Sequence, residues 1–187
     1  MKNKVQRFGK FLSGMVMPNI GALIAFGFLA ALFIDTGWLP NKGFSSMVGP
    51  MLTYVIPVLI ASTGGRMIGG DRGRVVGAIA VIGAIMSNTD ITMLMAAMGM
   101  GPLAGWCIKK FDEAMEGHMP AGFEMLINNF SAGIIGMILA MLGYVLIGPV
   151  MSGILTVLSV GVNFLGVRGL LPLVAIFIEP AKVLFLN

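Results

Sequence analysis

The chain has 187 residues, of which 57% are apolar and only 11% charged, against about 25% charged in a typical soluble domain. With a mean hydropathy of +0.96, this composition excludes a disordered tail, a nucleic-acid-binding module and an ordinary soluble enzyme, because so few charges could not cover so much apolar surface in water. What remains is an all-α, polytopic transmembrane bundle. At about 20 apolar residues per crossing, the length holds roughly four to six crossings.

The net charge of +4 is informative through its placement. Lys2, Lys4, Arg7 and Lys10 open the chain; Arg66, Arg72 and Arg74 cluster with Asp71; Lys109 and Lys110 follow a later apolar block. Short basic loops stay in the cytoplasm, so the three groups are expected on the inner side, with the N-terminus cytoplasmic. They flank hydrophobic runs and form no groove-sized patch, so no nucleic-acid partner is expected. A single cysteine, Cys107, permits no internal disulfide. The single histidine, His118, has no second ligand at zinc spacing, so neither metal nor cofactor is expected.

Residues 1–12 read as an interfacial amphipathic helix. Val5, Phe8 and Leu12 share one face, Phe11 lies at its edge, and the bases occupy the rest, which suits a helix lying on an anionic lipid bilayer surface. A first span is expected at 15–34, with Pro18 and Asn19 near its start. The uncharged run from Phe11 to Ile34 is too long for a cleaved leader. Asp35 to Asn41 form a turn, with Trp38 at the membrane interface. A second span, 47–65, contains Pro50 and Pro57.

Gly65, Gly69, Gly73 and Gly77 recur every four residues. On a helix this is a small-residue stripe that admits a second backbone. The pairs Gly64–Gly65 and Gly69–Gly70 favour irregular backbone, so the stripe is expected to act only from Gly73 onward. The block 75–108 divides at Ser87-Asn88-Thr89-Asp90. Two short tilted spans and a re-entrant hairpin both satisfy it. Residues 109–121 read as a polar loop. Apolar segments come next at 123–147, 150–166 and 170–187, with a turn at Gly148–Pro149 and a break at Arg168–Gly169.

Polar groups inside apolar runs mark cavities, partners or interfaces. Glu124 and Asn128 lie four apart on one helical face, with Asn129 beside them. A carboxylate with carboxamides suits the hydroxyls of a sugar or polyol. A helix start at the inner interface accounts equally for Glu124. Glu179, Pro180 and Lys182 form a second group, either a broken-helix transport site or a helix boundary with an ion pair. Asp90 is read as part of an outer loop. No nucleophile–base set, metal cluster or phosphate loop is present, so no catalytic residue is assigned.

Several segments together resemble the membrane-embedded IIC domain of the bacterial mannitol permease of the phosphoenolpyruvate-dependent phosphotransferase system. They are Met17-Pro18-Asn19-Ile20-Gly21-Ala22, Gly37-Trp38-Leu39-Pro40-Asn41, the glycine-rich stretch through Arg72-Gly73, and Gly101-Pro102-Leu103 with Gly105-Trp106-Cys107-Ile108-Lys109. To these are added the run from Gly122 through Glu124, Asn128 and Asn129 to Gly133, and the closing run from Glu179 to Asn187.

The resemblance implies a homodimeric, multi-pass permease of the bacterial plasma (inner) membrane that takes up mannitol and releases it as a phosphate ester. The phosphoryl group would come from a cysteine of a IIB protein or domain, itself charged by a IIA histidine; neither group is expected in this chain. Glu124, Asn128 and Asn129 match the family's motif and are candidate substrate-binding residues by that resemblance; Glu179 joins them from the broken-helix reading above. Mannitol and other hexitols share the hydroxyl chemistry these residues would read.

In the family, Glu-Pro-Ala-Lys is followed by an Asn/His/Gly-containing segment and later by one containing Glu and Asn-Pro-Gly. Neither is present here. By resemblance the chain corresponds to about the first half of a IIC domain, largely the half that supports the dimer, and by itself is expected neither to transport nor to phosphorylate. The alternative expectation is a half-permease serving as a dimerisation or partner-assembly module.

Overall fold

The computed structural model describes residues 2–90, 92–118 and 122–167, and helix is the only regular structure among them. The segment expected at 170–187, with Glu179 and Lys182, lies outside the described residues. The chain begins with α1 (Lys2–Val16), a 3₁₀ turn (Met17–Asn19) and α2 (Ile20–Phe33). The helix expected to lie on the membrane surface therefore continues past Leu12. It meets the next segment only at Pro18, whose missing N–H suits the tighter turn. After α2 the backbone folds back over the helix end, where Leu39 N–H donates to the Leu32 carbonyl at 2.7 Å and Asn41 N–H to that of Phe33 at 3.1 Å. These bonds satisfy carbonyls that a helix end leaves open. Trp38, in this turn, is 88% exposed.

Two short helices, α3 (Lys42–Ser45) and α4 (Val48–Pro50), and a π turn (Met51–Val55) lead into α5 (Ile56–Ser87). The Asn41 side chain caps α3, accepting from the backbone N–H groups of Gly43 and Phe44. α5 is not one straight rod. Gly70 has φ 62° and ψ −152°, and helical geometry resumes on either side of it. The chain reverses there into two antiparallel arms, 56–69 and 71–87. A Cβ on Gly65 would fall on the Gly73 carbonyl, and one on Gly77 would lie 2.6 Å from the Ala61 carbonyl. The sequence-based expectation that the stripe acts only from Gly73 is thus corrected. Gly64, Gly65 and Gly69 are helical, and Gly70 alone makes the reversal. The four-residue spacing serves both arms, because each needs a bare backbone where they touch.

The division of 75–108 resolves into the second arm of α5 and a separate helix, α6 (Leu94–Met115), with a turn at 89–90 after the first of them. α6 continues through Lys109–Lys110, so much of the expected polar loop is helical. α6 runs parallel to the first arm. Gly101 sits against Ala61, and a Cβ on Gly105 would be 2.5 Å from the Gly65 carbonyl. Three backbones meet at Gly65, Gly73 and Gly105, where side chains would hold them apart. Around this contact lie Met15, Ile56, Ile60, Val76, Val81, Ile85, Met93, Met100 and Ile108, all buried.

α7 (Glu124–Leu142) passes through a second π turn (Gly143–Ile147) into α8 (Gly148–Val167). The turn expected at Gly148–Pro149 is therefore corrected: helix continues through it. Gly148 N–H donates to the Gly143 carbonyl five residues back, and Pro149, which has no N–H to give, comes where the ladder changes its step. The wider turn keeps Gly143 and Gly148 on one face, against Ala80, Ala84 and Ser87 of the second arm. Gly136 meets Ile79 farther back on the same seam.

α1 and the 3₁₀ turn that follows it pack antiparallel to the first arm of α5. Met15 Sδ fills the space a Cβ on Gly64 would take, and Gly14 lies against Met67. Asn19 fixes the crossing. Its Nδ2 donates to the Met15 carbonyl (2.9 Å), the Leu59 carbonyl (3.2 Å) and Thr63 Oγ1 (2.8 Å). Among the described residues, three helical stretches are long and apolar enough to cross a membrane, Gln6–Phe33, Lys42–Ser87 and Glu124–Ile154, the second of them folding back at Gly70. The outer faces of α2 and α7 remain exposed and apolar, through Ile24 and Phe28 on one and Phe130, Ile134 and Met141 on the other.

Candidate functional site at the basic pole

The reversal at Gly70, the C-terminal end of α6 and the start of α7 meet at one pole of the bundle. Arg72 joins them. One nitrogen, Nη1, forms an ion pair with Asp112 of α6. The other, Nη2, donates to the Asn128 carbonyl at 2.8 Å and to Ser131 Oγ at 2.5 Å, both on α7. Ser131 in turn donates its hydroxyl to the Asn128 carbonyl at 3.1 Å. Arg is suited to such a junction, because its planar fork presents several fixed donors while its charge is met by a carboxylate. Ser131 is buried at 8% exposure, so its hydroxyl requires these partners.

The carboxamide of Asn128 is not part of this network: its Oδ1 is buried without a partner among the described residues, as is Nε of Arg72. Glu124 and Asn129, on the same first turns of α7, are exposed, and Glu124 forms no salt bridge among the described residues. The structure thus brings Glu124, Asn128 and Asn129 together on α7. Glu179 lies outside the described residues. Sequence reasoning missed Arg72, Asp112 and Ser131 as a unit. Arg72 sits in a basic cluster that reads as surface charge, and its partners are 40 to 59 positions away. Only the resemblance through Arg72-Gly73 pointed to the residue.

Beside Asp112 an open depression of about 460 Å³ is lined by Ile68, Gly69, Lys109, Asp112, Glu113 and Glu116. Lys110 donates to Glu113 at 2.7 Å, and this bond, with the nearby positive charge, holds the Glu113 carboxyl below its ordinary value. Arg66 and Asp71 face each other across the reversal at 3.4 Å, both well exposed, a pairing worth little in water. No group of three or more potential metal ligands occurs among the described residues.

The all-helical architecture, the apolar rods and the polar junction at one end define a helical membrane protein. A family model described as "Phosphotransferase system, EIIC" matches residues 13–186, and the chain belongs to that family. It is 58% identical over 187 residues, its whole length, to the "PTS system mannitol-specific EIICBA component" of Escherichia coli K12, of which it covers 29%. It is 59% identical over 186 residues to the component of the same name from Vibrio cholerae, covering 28% of that protein. Against the "PTS system mannitol-specific EIICB component" of Geobacillus stearothermophilus it is 58% identical over 184 residues, 98% of this chain and 39% of the relative. The chain therefore spans less than two fifths of the length of these relatives. No solved structure matches it.

Proposed function

We propose that this chain forms part of the membrane unit of a mannitol permease, which carries mannitol across the bacterial plasma membrane and delivers it for phosphorylation by IIB and IIA proteins or domains. The observation that carries this reading is identity of 54–59% along 98–100% of the chain to relatives named mannitol-specific. Glu124, Asn128 and Asn129 are the substrate-facing residues in this reading, with Glu179. It is supported by the unpartnered Asn128 Oδ1 and by the exposed Glu124 carboxylate, since hydroxyls need both acceptors and donors.

The orientation places the basic pole in the cytoplasm. Support comes from the meeting of the three basic groups: Arg72 pairs with Asp112, close to Lys109 and Lys110 in α6, and Gly14 of the basic first helix touches Met67, three residues before Gly70. The membrane unit is multi-pass and homodimeric. The exposed apolar faces of α2 and α7 are surfaces that lipid or a second copy would cover.

A chimera tests the function. The corresponding residues of the Escherichia coli relative are replaced by this chain in a host lacking its own mannitol permease. Phosphoenolpyruvate-dependent accumulation of labelled mannitol phosphate is the expected result. A stable, membrane-inserted chimera that takes up no mannitol would overturn the assignment.

A further inference from the structure

We propose that Arg72 is the positioning residue of the α7 start: it sets where Glu124, Asn128 and Asn129 stand, and so governs polyol affinity without being the group that reads the polyol. The inference rests on the substrate reading of α7 given above. It begins with the division of labour in the guanidinium. Nη1 is committed to Asp112, and both donor contacts of Nη2 go to α7, to the Asn128 carbonyl and Ser131 Oγ. The bond to Asn128 is made to its backbone, so it fixes the α-carbon of that residue and leaves the carboxamide free. Ser131 closes the triangle by donating to the same carbonyl, and linked bonds of this kind polarise one another.

A lysine could not reproduce the arrangement. Its single ammonium can meet Asp112, but it lacks the two-pronged plane that reaches α6 and α7 together. Asp112 has the complementary task of balancing the charge that Arg72 carries into a position only 24% exposed. The junction leaves a donor, Arg72 Nε, and an acceptor, Asn128 Oδ1, buried without partners among the described residues. Buried polar groups normally have partners, and of these two it is Asn128 Oδ1, on the face that Arg72 positions, that a ligand hydroxyl would meet by donating to it.

The experiment uses the chimera described above in lipid nanodiscs, carrying this chain as wild type, Arg72→Lys, Ser131→Ala and Ser131→Thr. Amide hydrogen exchange is followed over 124–135 and, as an internal reference, over 76–85. Binding of labelled mannitol is measured in the same samples. For Arg72→Lys and Ser131→Ala the expected result is exchange about tenfold faster over 124–135, an unchanged reference segment, and mannitol affinity weakened by about threefold or more. Ser131→Thr, which keeps the hydroxyl, restores both.

Exchange over 124–135 that matches wild type overturns the proposal, as does acceleration spread equally over both segments. Local acceleration with mannitol affinity unchanged, or with no mannitol bound by any variant, upholds Arg72 as organiser of the α7 start and overturns the substrate reading of α7 instead.

Discussion

Gly65 and Gly73 face each other across the reversal at Gly70, so closely that a methyl group on either would occupy the other's carbonyl. Neither obstacle is a side chain that could swing aside. Gly65→Ala is therefore expected to force the two arms of α5 apart and to cost about 1–3 kcal/mol, read as a lower unfolding temperature in detergent or nanodiscs. Gly99→Ala is the control. Nothing lies within 4 Å of its Cβ position, and replacing an unhindered helical glycine by alanine gains up to about 1 kcal/mol of helix propensity.

Gly70 presents the opposite case. Space is open around its Cβ position, yet its φ of 62° and ψ of −152° fall in a region that only glycine occupies readily. Gly70→Ala should destabilise the fold by about 1–3 kcal/mol through backbone strain alone. A thermal unfolding curve that superposes on wild type would rule out a reversal at this residue.

Asn19 makes the polar contact between the first helices and α5. Asn19→Ala leaves the Leu59 carbonyl and Thr63 hydroxyl with one partner fewer and is expected to cost about 1–3 kcal/mol. Asn19→Asp should be worse, because a carboxylate would then face the Leu59 and Met15 carbonyls with no hydrogen to donate. Chemical denaturation of both variants gives the order.

How far the sequence discloses this architecture can be argued from these same residues. The apolar rods and basic clusters were legible because membrane length and charge bias act on composition directly. A break among the paired glycines was legible, but its form was not, since glycines spaced by four describe one straight stripe as well as two facing arms; the backbone angles of Gly70 confine the reversal to that one residue. Pro149 misled in a related way. A Gly-Pro pair ordinarily ends a helix, but here the preceding π turn has already changed the hydrogen-bond step. At the candidate site, Glu124, Asn128 and Asn129 were visible as polar residues in an apolar run. Arg72 was hidden because its role depends on partners brought together only by folding.

Sidedness can be read with a membrane-impermeant maleimide, using single-cysteine variants in a Cys107→Ser background. Cysteine at Asp71, in the reversal, and at Trp38, in the turn after α2, should label from opposite faces of the membrane. Asp71 should react only from the cytoplasmic side. Labelling of both positions from the same side would contradict the proposed orientation.

Acidification should act on the α6 terminus through Glu113. Its folded-state value is lowered, first by the Lys110 hydrogen bond and then by the charge of Lys110, with a smaller share from Lys109. A lowered carboxyl contributes stability above its unfolded value, and the contribution is lost as pH falls through the folded one. The window lies below the ordinary glutamate value. Because Glu113 lies on the exposed surface, the effect is confined to local order. Lys110→Ala should return the Glu113 titration, followed by carboxyl carbon NMR, upward toward that of a free glutamate.

The π turn between α7 and α8 has a consequence for chain length. Gly143 and Gly148 are five residues apart, joined by one hydrogen bond, and both rest on the second arm of α5. Removing Val145 would leave them four apart, the step of an ordinary α-helix, and still on nearly the same face. The same deletion within α7, at Ile134, would turn the rest of the rod by about 100° and carry Gly136 off Ile79. This rod therefore has one place where a codon can be lost with little change to the docking of α8, and that place coincides with its widest turn.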